Sequence, residues 1–176
     1  PKDVKALIHT AENAGVEPKL LNAVEDVNAR QKKHMATRIM EYFAPQGGVQ
    51  GKTLALWGLA FKANTDDMRE AAAISIINEL TAAGMRVRAF DPVAADNARA
   101  IFKDNPLVDV GTDQYEVCRG AQALLVVTEW NQFRNPDFEK VRGLLSAPLL
   151  FDGRNLYSPS SMAEHGFAYF CIGRRG

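Results

Sequence analysis

The chain has 176 residues, enough for one substantial hydrophobic core, and its hydrophobic share of 47% with 24% charged residues is that of a soluble globular protein. Its 21 basic and 21 acidic side chains cancel, which excludes a general electrostatic drive toward nucleic acid or an anionic membrane, so any anion site must be local. The two cysteines, Cys118 and Cys171, and the three histidines, His9, His34 and His165, have no metal-ligand spacing. No metal site, no membrane span and a reducing cytoplasmic setting are therefore expected.

From Asp3 to Phe43 the pattern is helical, with a break at Gly15-Val16-Glu17-Pro18. After the break Leu20, Leu21, Val24, Val27, Gln31, Met35, Ile39 and Phe43 recur every three or four residues. The spacing predicts one amphipathic helix from about Pro18 to Phe43, proline being tolerated in the first turn. Such a helix of about 26 residues spans about 39 Å, more than a domain of this size needs for itself. It reads equally as a helix covering the core and as one that meets a second copy.

Ala44-Pro45-Gln46-Gly47-Gly48-Val49-Gln50-Gly51 is a breaker cluster, which divides the chain into a helical arm over 1–46 and a main domain over 47–176. In the main domain, strands are predicted at Thr53–Trp57, Arg86–Phe90, Val108–Val110, Ala123–Val127, Leu149–Phe151 and Ala168–Ile172. Helices are predicted at Arg69–Ala83, Ala94–Phe102, Gln114–Arg119, Phe138–Leu145 and Pro159–Glu164. Alternating short apolar strands and helices give an α/β fold, a Rossmann-like, doubly wound and mostly parallel sheet preceded by a long helical arm.

In such a sheet ligands bind beyond the carboxyl ends of the strands, where the strand order reverses. WGLAFKANTDDMRE, residues 57–70, follows the first strand but has one glycine, Gly58, where the dinucleotide fingerprint needs three. Asp67 and Glu70 have the spacing of a capping box, which predicts a helix start near Met68 and puts Arg69 in its first turn. A cation there meets the positive end of the helix dipole, so either the neighbouring acids Asp66, Asp67 and Glu70 or a bound phosphate held by Lys62 and Arg69 must compensate. Asp91, closing the second strand in AFDP, stands where dinucleotide folds place a ribose ligand; without the glycines it reads as a cap of the following turn. Arg154 in DGRN lies on the same edge and fits either a phosphate or a salt bridge to a neighbouring acid. Trp130 and both cysteines read as packing residues, and no histidine has a nucleophile beside it.

GLAFKANTDDMRE, AFDP, VVTEWNQF and FDGRNLY, in this order and spacing, resemble the carboxyl-terminal half of the nucleotide-sugar 6-dehydrogenases, the UDP-glucose/GDP-mannose dehydrogenase family. The resemblance covers essentially the whole chain. It implies an NAD-dependent enzyme that oxidises a sugar C6 alcohol to a carboxylate in two steps, with UDP-glucose the favoured substrate and UDP-N-acetylmannosamine or GDP-mannose as alternatives. It also implies that the main domain binds the UDP part of the substrate, that the helix over 18–43 helps form a homodimer, and that an amino-terminal domain outside this chain carries most of the NAD. Matched residue by residue, Phe61, Lys62 and Arg154 are implied to hold the UDP-sugar and Arg69 to reach the NAD pyrophosphate. Pro1-Lys2-Asp3 resembles the end of the motif Gly-Gly-x-Cys-Phe-Pro-Lys-Asp, so the family's nucleophilic cysteine is expected two residues before Pro1, and Asp3 is implied to activate water for hydrolysis of the acyl-cysteine. The chain alone is then expected to be inactive. Ala63 and Ala71-Ala72 stand where many members have proline and Ser-Pro, which alters turn stiffness and capping more than charge. From another class, a nucleotide-binding or oligomerisation module without redox activity fits the same fold.

Overall fold

The computed structural model describes residues 2–174, and Pro1 of the Pro-Lys-Asp motif lies outside them. Two helices come first, α1 (Lys2–Asn13) and α2 (Lys19–Phe43), followed by a 3-10 turn over Ala44–Gln46. Then β1 (Thr53–Trp57), α3 (Ala72–Ala82), β2 (Arg86–Phe90), α4 (Ala95–Phe102) and β3 (Val108–Val110) build one half of the sheet. The other half consists of β4 (Ala123–Val126), α5 (Asn131–Arg134), α6 (Phe138–Leu144), β5 (Leu149–Asp152), α7 (Pro159–Glu164) and β6 (Ala168–Cys171). All pairs in the six-stranded sheet are parallel, in the order β3-β2-β1-β4-β5-β6. The order reverses between β1 and β4, as a doubly wound sheet requires.

Both faces of the sheet are covered, so the central strands β1 and β4 are apolar at every position but Thr53, and successive side chains enter different layers. Leu54, Leu56, Leu125 and Phe151 point into the layer shared with Ile39 of α2, Ile77 of α3 and Ala98 of α4. Ala55, Trp57, Leu124, Val126 and Leu150 point into the layer of Phe133, Val141 and Met162 from α5, α6 and α7. There Trp57 stacks on Phe133, with ring centroids 5.2 Å apart.

The predicted strands stand within one residue at each end, whereas the helices differ in three places, the first being the short helix α5, which was not predicted. Residues 114–119 form only a 3-10 turn at Glu116–Cys118, anchored by Asp113 Oδ1 accepting the Tyr115 and Glu116 N–H groups. The helix expected from Arg69 begins at Ala72 instead. Asp67 Oδ1 accepts the Arg69 N–H in an Asx turn, and Glu70 adopts φ 62°, which no continuing helix can contain. Arg69 therefore stands in the loop and not in a first helical turn, and the capping box does not form.

The α2 stripe has two characters. Met35, Ala36, Ile39 and Phe43 are buried against α3 and the sheet, whereas Leu20, Val24 and Val27 are exposed. Arg38 Nη1 donates to Cys171 O (2.5 Å) and Lys33 Nζ to Glu79 Oε1 (2.5 Å), tying the buried half to β6 and α3. No helix among the described residues is long and apolar enough to cross a membrane.

Gly58 explains the single glycine of the β1 turn. It has φ 94°, and a Cβ there would lie 2.5 Å from Thr128 Cβ and 2.6 Å from Thr128 N. Its absence of side chain lets the end of β1 close on the strand after the switch point. Gly58→Ala is expected to cost about 2 kcal/mol or more, through left-handed strain plus overpacking, read as a lowered midpoint in urea unfolding.

Candidate functional site at the sheet switch point

The loop from Gly58 to Ala71 crosses the carboxyl end of β1 and is held mostly by acids. Asp91, buried at the end of β2, accepts the Leu59 and Ala60 N–H groups on Oδ2 (2.7 and 3.1 Å) together with the Trp130 indole N–H (3.1 Å). Its Oδ1 accepts the Val93 and Ala94 N–H groups (2.9 and 2.8 Å) and so caps the turn before α4. The cap reading of Asp91 holds, and more is bound than expected. Backbone donors that a dinucleotide fold would offer to a pyrophosphate are here consumed by the protein's own carboxylate.

Further along the loop the Phe61 N–H donates to Asp67 O (2.8 Å), and Thr128 Oγ1 donates to Ala60 O (2.7 Å). Arg154 reaches back from the end of β5. Its Nε donates to Val127 O (2.7 Å) and its Nη2 to Phe61 O (2.9 Å), bridging the ends of β4 and β1. Glu129 Oε2 lies 3.2 Å from Arg154 Nε without hydrogen-bonding alignment, so the salt bridge to a neighbouring acid is present beside the bonds to carbonyls. Asp152 orients the arginine's backbone, Oδ1 accepting the Arg154 N–H (2.9 Å) while Oδ2 accepts the Tyr157 N–H and the Tyr169 hydroxyl. Buried beside that carboxylate, the Tyr169 and Tyr157 hydroxyls are held above the ordinary tyrosine range by desolvation first and by Asp152 next.

Phe61 and Arg154 thus stand on the wall of one cleft of about 380 Å³, roofed by Glu25, Asn28 and Lys32 of α2 and floored by Val127 and Gly153. Lys62 follows Phe61, is exposed, and makes no hydrogen bond or ion pair among the described residues. Arg69 faces elsewhere. It lines a separate groove with Asp66, Met68, Asn97 and Ile101, and its guanidinium is held by Asp67 through Nε and Nη2 (2.9 and 2.7 Å), which raises its pKa. Local compensation of Arg69 by an acid is therefore present. Asp3 is exposed in the first turn of α1.

The sequence model of the UDP-glucose/GDP-mannose dehydrogenase family, UDP binding domain, matches residues 55–159, the stretch that contains this loop, Asp91 and Arg154. The chain belongs to this family. It is 50% identical over 99% of its length to a UDP-glucose 6-dehydrogenase of Pseudomonas aeruginosa and 39% identical, over the same share, to one of Rhizobium meliloti, and it spans 39% of the length of each. Among solved structures it is similar to a UDP-glucose dehydrogenase from Pyrobaculum islandicum, with TM-score 0.77 and 27% identity over 97% of this chain and 36% of that one. A ternary complex of GDP-mannose dehydrogenase from Pseudomonas aeruginosa matches with TM-score 0.64 and 27% identity, over 86% of this chain and 34% of that one.

Within this UDP binding domain the residues singled out from the sequence divide by place. Phe61 and Arg154 share the switch-point cleft, Lys62 is exposed next to Phe61 in the chain and does not line the cleft, Arg69 belongs to the neighbouring groove, and Asp3 lies on α1. Cys118 is buried with its pKa pushed up to about 12 by desolvation, so it is no nucleophile; Cys171 is buried in β6. Sequence reasoning missed the contribution of α2. Positions 25, 28, 32 and 35 fall on one helical face, and burial of Met35 places the other three over the cleft. It also gave Glu70 the wrong partners: instead of capping a helix or compensating Arg69, its carboxylate accepts Lys5 Nζ (2.7 Å) and Lys32 Nζ (2.5 Å) and joins α1, α2 and the loop.

These two lysine bonds lower the Glu70 pKa from 4.5 to about 2, Lys32 contributing most. A depressed carboxylate stabilises the fold above its unfolded pKa and loses that contribution as pH falls through its folded value. Part of the loss of stability between about pH 4.5 and 2 should therefore vanish in Glu70→Gln, giving a flatter melting temperature profile than wild type across that window.

Proposed function

We propose that this chain is the nucleotide-sugar-binding part of an NAD-dependent 6-dehydrogenase that converts UDP-glucose to UDP-glucuronate, and that its cleft at the β1/β4 switch point takes the UDP moiety. The observation that carries this reading is the meeting of Phe61 and Arg154 there, with Lys62 beside them: an aromatic ring for a base or ribose face, a guanidinium and an uncommitted ammonium for a diphosphate. The 50% identity to a UDP-glucose 6-dehydrogenase across the chain supports UDP-glucose over GDP-mannose.

The β1 turn itself does not fit NAD. Its Leu59 and Ala60 N–H groups are bound to Asp91, and Gly58 packs on Thr128. NAD, which would supply the hydride acceptor, is assigned to a domain outside this chain, with Arg69 as this chain's contact to its pyrophosphate and Asp3 as the group that activates water. The chain by itself is then inactive. Two free, buried cysteines accord with a reducing cytoplasm.

In calorimetric titration the chain should bind UDP-glucose in preference to GDP-mannose or NAD. Lys62→Ala and Arg154→Ala should each weaken UDP binding about tenfold, the loss of one charged hydrogen bond, whereas Arg69→Ala should leave it nearly unchanged. Equal losses at all three positions, or no binding by the unaltered chain, would contradict the assignment.

The exposed apolar half of α2 supports a homodimer through this helix, since Leu20, Val24 and Val27 form a stripe open to solvent. Sedimentation equilibrium should give a dimer for the chain and a monomer for the double variant Val24→Asp, Val27→Asp.

A further inference from the structure

The α2 roof of the cleft holds a group that nothing in the chain explains. Glu25 Oε1 is shielded from solvent and accepts no hydrogen bond among the described residues, although Glu25 lines the cleft. A shielded acceptor without a donor destabilises the fold, and more so when it belongs to a carboxylate. The nearby lysines, Lys5 and Lys32, both give their hydrogen bonds to Glu70, so Lys5 reaches Glu25 through charge alone and supplies no donor to Oε1. Asn28, one turn along the same face, also lines the cleft, and its side chain makes no hydrogen bond among the described residues.

Groups kept at a cost to stability are characteristic of sites that act on a ligand. The chemistry of this one is narrow. A carboxylate repels the diphosphate, so the anionic part of the ligand must lie toward Arg154 and Lys62. What meets α2 is then a neutral part with hydroxyl donors, which fit an unpartnered carboxylate, and with acceptors for the Asn28 amide.

We propose that Glu25, with Asn28 beside it, is a specificity-determining residue that receives the hydroxyl groups of a sugar ring in the cleft. This rests on the cleft being the nucleotide-sugar site. Two rings of a UDP-sugar offer that chemistry, the hexose and the ribose, on either side of the diphosphate. Glu25 thereby favours a hydroxylated ring over any ligand that presents an acceptor or a negative charge at that point.

Calorimetric titration of wild type, Glu25→Ala and Glu25→Gln with UDP-glucose and with UDP, alongside thermal melting, tests the assignment. The expected result is that Glu25→Ala weakens UDP-glucose binding about tenfold, Glu25→Gln, which keeps an acceptor oxygen, weakens it less, and Glu25→Ala melts at or above the wild-type temperature because a shielded acceptor without a donor has gone. Unchanged UDP binding in Glu25→Ala assigns the contact to the hexose; an equal loss with UDP assigns it to the ribose. Unchanged or tighter binding of UDP-glucose by Glu25→Ala would overturn the proposal while leaving the cleft in place, and so would a loss of binding in Glu25→Ala accompanied by a lowered melting temperature. A wild-type chain that binds neither ligand would overturn the site and this inference together.

Discussion

The Asp91 carboxylate ties together three segments at the carboxyl edge of the sheet. Buried at the end of β2, it holds the first two residues of the β1 loop, the first turn before α4 and the indole of Trp130 after β4. Such a buried acid is tolerable because every lone-pair direction meets an N–H donor. The same saturation decides what the fold cannot do at this point. A turn whose amide groups are already bound by a side chain has none to offer a pyrophosphate, so the domain keeps the Rossmann layout without its dinucleotide cradle.

With that turn closed, the proposed ligand site lies on the other side of the switch point. Gly58 allows β1 and the Thr128 segment to touch, and Arg154 then spans from the end of β5 to carbonyls at the ends of β4 and β1. An arginine fixed by backbone acceptors on two strands and backed by Asp152 loses little freedom when an anion arrives, which is how a site is made ready before binding. Lys62 has no such support: it is exposed and makes no hydrogen bond or ion pair among the described residues.

The helix α2 serves two surfaces along one length. Its carboxyl-terminal half closes the core over α3 and the sheet, its amino-terminal half leaves an apolar stripe in solvent, and between them a polar face roofs the cleft. Glu70 couples these parts. By taking lysines from α1 and α2 while its own backbone sits in the left-handed region, it fixes the loop that carries Phe61 and Lys62 against the helix. Strain at one loop residue is sustained by two charge-assisted bonds, a cost the rest of the fold absorbs.

Strands and their order of appearance were legible in the sequence because a parallel sheet covered on both faces writes itself as short apolar runs between helices, as in TLALW and ALLV. So were the long helix and the cap role of Asp91, which depend on local spacing. Residues 66–70 were misread for an equally physical reason: Asp67 and Glu70 carry the letters of a capping box, but their partners are Arg69 two residues on and two lysines from distant helices. Local chemistry sets which turns are possible, whereas long-range partners choose among them. The amino-acid order alone determined a doubly wound sheet, a single-glycine turn and an arginine at a strand end; only the tertiary structure decided that the turn is sealed by Asp91, that Arg154 and Phe61 share a cleft while Arg69 does not, and that one oxygen of Glu25 in that cleft lacks a donor, because each of these depends on which distant groups the packing brings within hydrogen-bonding reach.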